Sequence, residues 1–263
     1  MNVFIILATV FFSFAAHAEA PSCSALKSAL FSKSTIEIRM VFGYKDARPA
    51  RFVGDRHERL AFIEKIMTPC EVGNQACGFT RSKEDADLFT KPVFIEGRPK
   101  TVRLMVVNSS VGSDDEENLS DPFQEWKSKH AQKTFLSGLR EADVVFYNGH
   151  SRFGGGPDFG SPQLAKDGTI DASIYKSKKR GLTKLLNALE ESQRPKSPRY
   201  AGLKVLGLYS CTSSQHFNNR IRSSSDAALI SSNVLMYYSD ALDQSLSAMS
   251  TLLREQCPKS LIL

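Results

Sequence analysis

The sequence predicts an α/β fold, in which a mainly parallel sheet carries helices on both faces. From residue 101 onward, short apolar runs alternate with segments that have apolar residues at helical spacing. The apolar runs show little alternation of apolar and polar residues, as expected of strands buried on both sides. Residues 101–263 therefore form the predicted α/β domain, and residues 19–100 form a less regular N-terminal extension.

The elements follow from the spacing of apolar residues and from the turn residues between them. In the extension, the predicted elements are a helix at Ser24–Phe31, a strand at Ile36–Phe42, a helix at Arg56–Met67 and a strand at Val93–Ile95. In the domain, the predicted strands are Val102–Val107, Val144–Tyr147, Leu203–Tyr209 and Ala227–Ile230. The predicted helices of the domain are Pro122–Leu139, Leu182–Glu190, Ser214–Ile221 and Ser239–Glu255.

The first 18 residues have the pattern of a secretory signal peptide. They are apolar from Val3 to Ala16 and end in Ala16-His17-Ala18, a small-x-small cleavage site. No later apolar run reaches the ~18 residues that a membrane span needs. The sequence therefore predicts an exported protein without a membrane span, either periplasmic or secreted.

Export to an oxidising compartment predicts disulfides among the five cysteines of the mature chain. Cys70 and Cys77 flank a short flexible loop, which suits a local bridge. Cys23 and Cys257 lie near the two ends of the mature chain, and chain termini often lie close together. These two bridges leave Cys211 as a free thiol, either a reactive group or a small buried apolar side chain.

The charge pattern does not favour nucleic-acid binding. The net charge of +6 is mild, and the basic clusters at 176–180 and 194–199 contain no interleaved aromatic residues. Both clusters are expected to be solvated loops. The acidic run at 113–117 lacks the alternating ligands and the glycine of a calcium loop, so it is expected to be solvent-facing too. No Cys/His spacing suggests zinc, and neither a metal nor another cofactor is predicted.

Two predicted strands end in residues that suit nucleophilic catalysis. His150 follows Val144–Tyr147, and Cys211 follows Leu203–Tyr209. If these strands are parallel neighbours, both residues leave the same edge of the sheet. A thiol attacks as the thiolate, and a nearby imidazole removes its proton. The sequence therefore predicts a Cys-His dyad.

These two blocks, "VVFYNGHS" and "LKVLGLYSC", resemble the caspase, gingipain and legumain group of cysteine peptidases. They are most similar to the bacterial CHAT (caspase-HetF-associated) domains, in which one apolar strand ends in His-Gly and a second ends in a small residue and Cys. The resemblance covers about residues 101–256. In this chain Ser151 stands where the family usually has glycine, and Tyr209-Ser210 precedes the cysteine in place of Gln-Ala or Ser-Ala.

The resemblance implies a caspase-like fold and a cysteine endopeptidase or related acyl hydrolase that acts on a peptide or protein. His150 would be the general base and Cys211 the nucleophile. The backbone N–H groups of Ser151 and Cys211 would form the oxyanion site. Because members of this group select the residue before the cut with charged pocket residues, Asp158, Asp240 and Asp243 are candidates for a specificity pocket.

Three alternatives remain open. A non-catalytic protein of the same fold would bind a peptide or an envelope component. A serine hydrolase would use Ser151, although "GHSRF" has Phe153 where a nucleophile elbow needs its second glycine. His216 lies five residues after Cys211 and competes with His150 as the base.

The "QACGF" stretch copies part of the caspase cysteine signature, but Cys77 follows no apolar strand and is interpreted as a bridge cysteine.

Overall fold

A computed structural model of the chain describes residues 22–44, 55–111, 115–193, 202–259 and 261–262. The predicted signal peptide and the basic cluster at 194–199 lie outside these residues. The described residues form eight strands in a single sheet, with the spatial order β2-β3-β4-β1-β5-β6-β7-β8.

The strands are β1 (Thr35–Phe42), β2 (Thr80–Arg81), β3 (Leu88–Ile95), β4 (Arg98–Asn108), β5 (Val144–Asn148), β6 (Val205–Tyr209), β7 (Ala228–Ser231) and β8 (Leu261–Ile262). The helices are α1 (Cys23–Leu30), α2 (Asp55–Met67), α3 (Asp115–Ser120), α4 (Gln124–Glu141), α5 (Ala172–Lys178), α6 (Arg180–Gln193), α7 (Ser213–Ser224) and α8 (Tyr238–Leu253). A short 3-10 helix spans Arg152–Gly154.

The five central strands are parallel, which confirms the predicted fold class. β4, β1, β5, β6 and β7 pair in parallel, whereas β2, β3 and β8 pair antiparallel at the two sides of the sheet. Every residue of β5 and β6 is buried, in agreement with their apolar runs. Each predicted strand and helix is present, with ends shifted by a few residues.

Two apolar cores lie on opposite faces of the sheet. Side chains from α1, α2 and α8 pack on one face, and side chains from α4, α6 and α7 pack on the other. Alternate residues of one strand enter different cores: Phe146 of β5 joins the first core and Tyr147 joins the second. The chain is therefore a three-layer α/β/α structure.

The predicted boundary at residue 100 does not divide the sheet. β1 belongs to the predicted extension, yet it lies between β4 and β5. Ile36, Met40 and Phe42 of β1 are fully buried in the core that also holds α8. The described residues before position 100 and those after it thus share one sheet and one apolar core. The N-terminal segment is structurally central, although its sequence pattern is less regular.

Both predicted disulfides are present. Cys23 at the start of α1 is bonded to Cys257 beyond α8, and Cys70 is bonded to Cys77 in the loop between α2 and β2. Cys211 is free and partly buried. Within the described ranges, no helix combines the length and the apolar character that a membrane crossing requires.

Candidate active site

The connectivity of the sheet reverses direction between β1 and β5. After β1 the chain moves outward to β4, and it then returns past β1 to form β5 and β6 on the other side. Connections that leave two neighbouring strands in opposite directions open a crevice at their carboxyl ends, where α/β proteins bind ligands. His150 follows β5 by two residues and therefore lies at this crevice.

His150 and Cys211 leave neighbouring strands at matching positions. β5 and β6 are parallel, and their last pair is Asn148 with Tyr209. The N–H of Gly149 donates to the carbonyl of Tyr209 at 3.3 Å, so the pairing continues one residue further. His150 and Cys211 each lie two residues beyond the last pair. Because paired strands are about 4.8 Å apart, the backbones of the two residues start side by side.

The segment that leads into α8 contacts both candidate residues. The sulfur of Cys211 accepts a hydrogen bond from the N–H of Met236 at 3.4 Å and lies 3.7 Å from the carbonyl oxygen of Met236. The ring of Tyr238 lies edge-on to the imidazole of His150, with 6.3 Å between the centroids. The thiol and the imidazole thus both face the three-residue segment Met236–Tyr238. Both residues are partly exposed.

The hydroxyl of Tyr147 fixes the backbone next to His150. It donates toward the carbonyl oxygens of His150 at 3.1 Å and Asp158 at 3.3 Å, and it accepts from the N–H of Asp158 at 3.0 Å. A Cβ added at Gly43 or Gly149 would lie only 2.4 Å from this hydroxyl. Gly149 is therefore required because the tyrosine passes close to it.

The backbone after each candidate residue is strained. Arg152 and Phe153 follow His150 with φ values of 46° and 53°, and Thr212 follows Cys211 with φ of 48°. Positive φ is unfavourable for residues with a Cβ, and such strain concentrates at functional sites. Both strand-end loops thus hold a conformation that local preferences do not explain.

Within the described part of the chain, two backbone N–H groups at the site donate to no backbone carbonyl. They belong to Ser151 and Cys211, whereas the next N–H, that of Thr212, donates to Val234 at 2.9 Å. Neither N–H is therefore used in a backbone hydrogen bond among the described residues.

The alternative nucleophile, Ser151, is almost inaccessible. Only 6% of its surface is exposed, whereas Cys211 is partly exposed. Ser151 has ordinary helical dihedrals, with φ of −80° and ψ of −8°. A nucleophile elbow places its serine on a sharp, strained turn that exposes the hydroxyl. The surroundings of Ser151 differ from that arrangement.

The three predicted pocket carboxylates lie in different surroundings. Asp158 accepts a hydrogen bond from Nε of Arg152 at 2.9 Å, so its charge is already paired. Asp240 is exposed in the first turn of α8. Asp243 is also exposed and lines a separate groove with Lys65 and Arg254.

The remaining histidines lie in three different settings. His57 is exposed on α2. His130 stacks on Trp126, with 5.0 Å between centroids, and lies 3.6 Å from Asp87. His216 packs beside the 3-10 helix after His150, since a Cβ at Gly154 would lie 3.0 Å from its Nδ1. His216 is therefore close to the candidate site, and its side chain is partly exposed.

Met236, Tyr238 and Arg152 are site residues that sequence reasoning missed. Met236 and Tyr238 meet the candidate residues through contacts between distant loops, and Arg152 pairs with Asp158 within its own loop, and no local pattern marks either arrangement. No protein-family model matches the chain, and no curated protein is significantly similar to it. Among the described residues, no group of three or more His, Cys, Asp or Glu side chains could hold a metal ion.

Proposed function

We propose that this chain is an exported cysteine peptidase, or a related acyl hydrolase, in which His150 and Cys211 act as a catalytic dyad. The observation that carries the proposal is that the two residues follow adjacent parallel strands at matching positions, at the carboxyl edge of the sheet. The shared contact segment Met236–Tyr238 supports it further. The two disulfides support an oxidising compartment, and hence export.

In the proposed reaction the imidazole of His150 takes the thiol proton as the sulfur of Cys211 attacks the substrate carbonyl carbon. The new C–S bond moves an electron pair onto the carbonyl oxygen. Collapse of this tetrahedral intermediate breaks the C–N bond, and the leaving amine takes the proton from His150. The product of this half-reaction is a thioester on Cys211.

Water resolves the thioester in the second half-reaction. His150 removes a proton from water as the water oxygen attacks the thioester carbonyl. Collapse breaks the C–S bond, and the sulfur recovers its proton from His150, so the enzyme returns to its starting state. The N–H groups of Ser151 and Cys211 would stabilise the oxyanion in both halves, and one such donor contributes about 100- to 1,000-fold to the rate.

Hydrolysis of a peptide library by the mature protein tests the proposal. Cys211→Ala and His150→Ala should each abolish cleavage, and the double variant should be no worse than the worse single variant, since both residues serve one step. Ser151→Ala and His216→Ala are the matched controls and should retain most activity. Labelling of Ser151 by a fluorophosphonate, with full activity in Cys211→Ala, would instead identify a serine hydrolase.

The contacts of Cys211 favour a second candidate function. Its sulfur lies against both the N–H and the carbonyl of Met236, an arrangement that also suits a structural thiol. In that case the chain would be a non-catalytic binding protein that presents the same crevice to a peptide or an envelope component. The two candidate functions differ in the reactivity of the Cys211 thiol. A catalytic thiol is made more reactive by the nearby imidazole, whereas the reactivity of a structural thiol does not depend on it.

A further inference from the structure

A cavity of about 160 Å³ lies beside the 3-10 helix Arg152–Gly154. Its walls come from the loop after His150, from α5 and from the first turns of α6. Four cationic side chains line it: Arg152, Lys178, Arg180 and Lys184. Asp158 is the one acidic residue among the described residues that line it.

The side chain of Arg152 is buried and held in a fixed orientation in the wall of this cavity. Only 4% of its surface is exposed. Its Nε donates to Asp158 at 2.9 Å, and its guanidinium lies 5.6 Å from the centre of the Tyr175 ring. Asp158 neutralises one cation, and the other three, Lys178, Arg180 and Lys184, are exposed side chains that leave an excess of positive charge at the cavity. A buried, oriented guanidinium is typical of sites that recognise oxyanions.

The backbone of the loop closes one side of the cavity against α6. The loop packs directly on the N-terminus of the 14-residue helix α6: a Cβ at Gly156 would lie 2.0 Å from the nitrogen of Leu182, and one at Gly181 would lie 2.3 Å from the carbonyl oxygen of Pro157. Arg180 and Gly181, the first two residues of α6, line the cavity. The N–H of Leu182 in this first turn already donates to the carbonyl of Gly155 at 2.7 Å, so the loop itself caps the helix and the charge of the cavity comes from its side chains.

We propose that this cavity binds a phosphate group. A phosphate carries close to two negative charges, which matches the excess of cations better than a single carboxylate does. Phosphate binding takes part in no step of the dyad chemistry. The cavity and the dyad are nevertheless structurally connected, because the hydroxyl of Tyr147 hydrogen-bonds to the backbone of both Asp158 and His150. An occupied cavity would thus hold the strained loop that follows His150.

Titration of the mature protein with inorganic phosphate, glycerol 3-phosphate and acetate at low ionic strength tests the proposal, with backbone amide NMR shifts as the readout. Saturable shifts at Gly155, Gly156 and Gly181 are expected for both phosphates and not for acetate. Equal affinities for the two phosphates would indicate a free anion as the ligand. Tighter binding of glycerol 3-phosphate would indicate a phosphate ester of a larger molecule.

Two double variants of the same segment provide the matched comparison. K178Q/R180Q removes two cations that line the cavity, and K176Q/K179Q removes two cations that line a neighbouring pocket instead. The first should raise the phosphate Kd about tenfold, because each exposed ionic contact contributes up to about 1 kcal/mol. The second should change it much less. Equal losses in both variants, acetate binding as tight as phosphate binding, or no saturable binding would each overturn the proposal.

Discussion

At the level of single residues, the packing of the Tyr147 hydroxyl explains why glycine occupies position 149. Gly149→Ala should destabilise the protein by about 1–3 kcal/mol, because the added methyl overlaps the tyrosine and a packed core resists such insertion. Gly160→Ala is the matched control, since a Cβ there meets no atom within 4 Å. Urea unfolding measures both variants. Equal stability of the two would contradict this packing.

Tyr209 precedes the candidate nucleophile and is completely buried. Burial raises its pKa, and its hydroxyl has no hydrogen-bond partner among the described residues. Since the phenol releases its proton less readily in the folded state, its contribution to stability is complete below about pH 10 and is lost as the pH rises above that value.

Tyr209→Phe should therefore be neutral, or stabilising by up to about 1 kcal/mol, at pH 7, because it removes an unpaired buried hydroxyl. Above pH 10 the stability of Tyr209→Phe relative to the wild type should increase. Urea unfolding between pH 7 and pH 11 measures this, with Tyr237→Phe as the control that removes an exposed hydroxyl. A constant difference between Tyr209→Phe and wild type at all pH values would contradict the burial of the phenol.

At the level of elements, α5 depends on the cap that Asp171 provides. The Asp171 carboxylate accepts hydrogen bonds from the N–H groups of Ser173 and Ile174 at 2.9 and 3.2 Å. The hydrogen bond from the Ser173 hydroxyl and those from the backbone lower the pKa of Asp171. The cap is therefore complete above the usual aspartate pKa of about 3.9 and is lost as the pH falls below it.

Asp171→Ala should speed amide hydrogen exchange at Ser173 and Ile174 without affecting the central strands. Asp167→Ala is a matched control, because Asp167 makes similar hydrogen bonds to Thr169 in a turn and caps no helix. Unchanged exchange in α5, or equal effects of the two variants, would show that the cap does not hold the helix.

The sequence predicted the central elements because their patterns are local, and it missed elements whose stability comes from elsewhere. β3 begins at Leu88, although only Val93–Ile95 was predicted, because Pro92 normally excludes a central strand. The structure tolerates Pro92 because the neighbouring β2 pairs only with Phe89 and Thr90, which leaves the proline on an open edge. α5 is too short for its periodicity to be recognised, despite its Asp171 cap.

The candidate site also has parts that the sequence predicts and parts that it does not. The positions of His150 and Cys211 follow from two buried strands whose ends can be read in the sequence. Their contacts with Met236 and Tyr238 depend on how a later loop returns over the sheet, which no local pattern encodes. The helix α3 begins at Asp115, inside the acidic run that was expected to be a loop.

For the whole molecule, the Cys23–Cys257 bridge joins the two ends of the described fold across 234 residues. In the chain-entropy estimate its removal costs about 5 kcal/mol, whereas removal of the short Cys70–Cys77 bridge costs about 2.5 kcal/mol. Urea unfolding of C23S/C257S and C70S/C77S should therefore show the larger loss in the first. A larger loss of stability in C70S/C77S would contradict this ranking. Thiol mapping of the unreduced mature protein should find Cys211 alone free.

The rate at which iodoacetamide alkylates Cys211 at neutral pH tests the proposed dyad most directly, because it needs no substrate. The comparison is among the wild type, His150→Ala and His216→Ala, with intact mass after a short pulse as the readout. Rapid labelling at Cys211 is expected in the wild type and in His216→Ala, and a rate at least about tenfold lower in His150→Ala. Equal rates in the wild type and His150→Ala would mean that the imidazole does not act on the thiol, and the dyad would have to be abandoned.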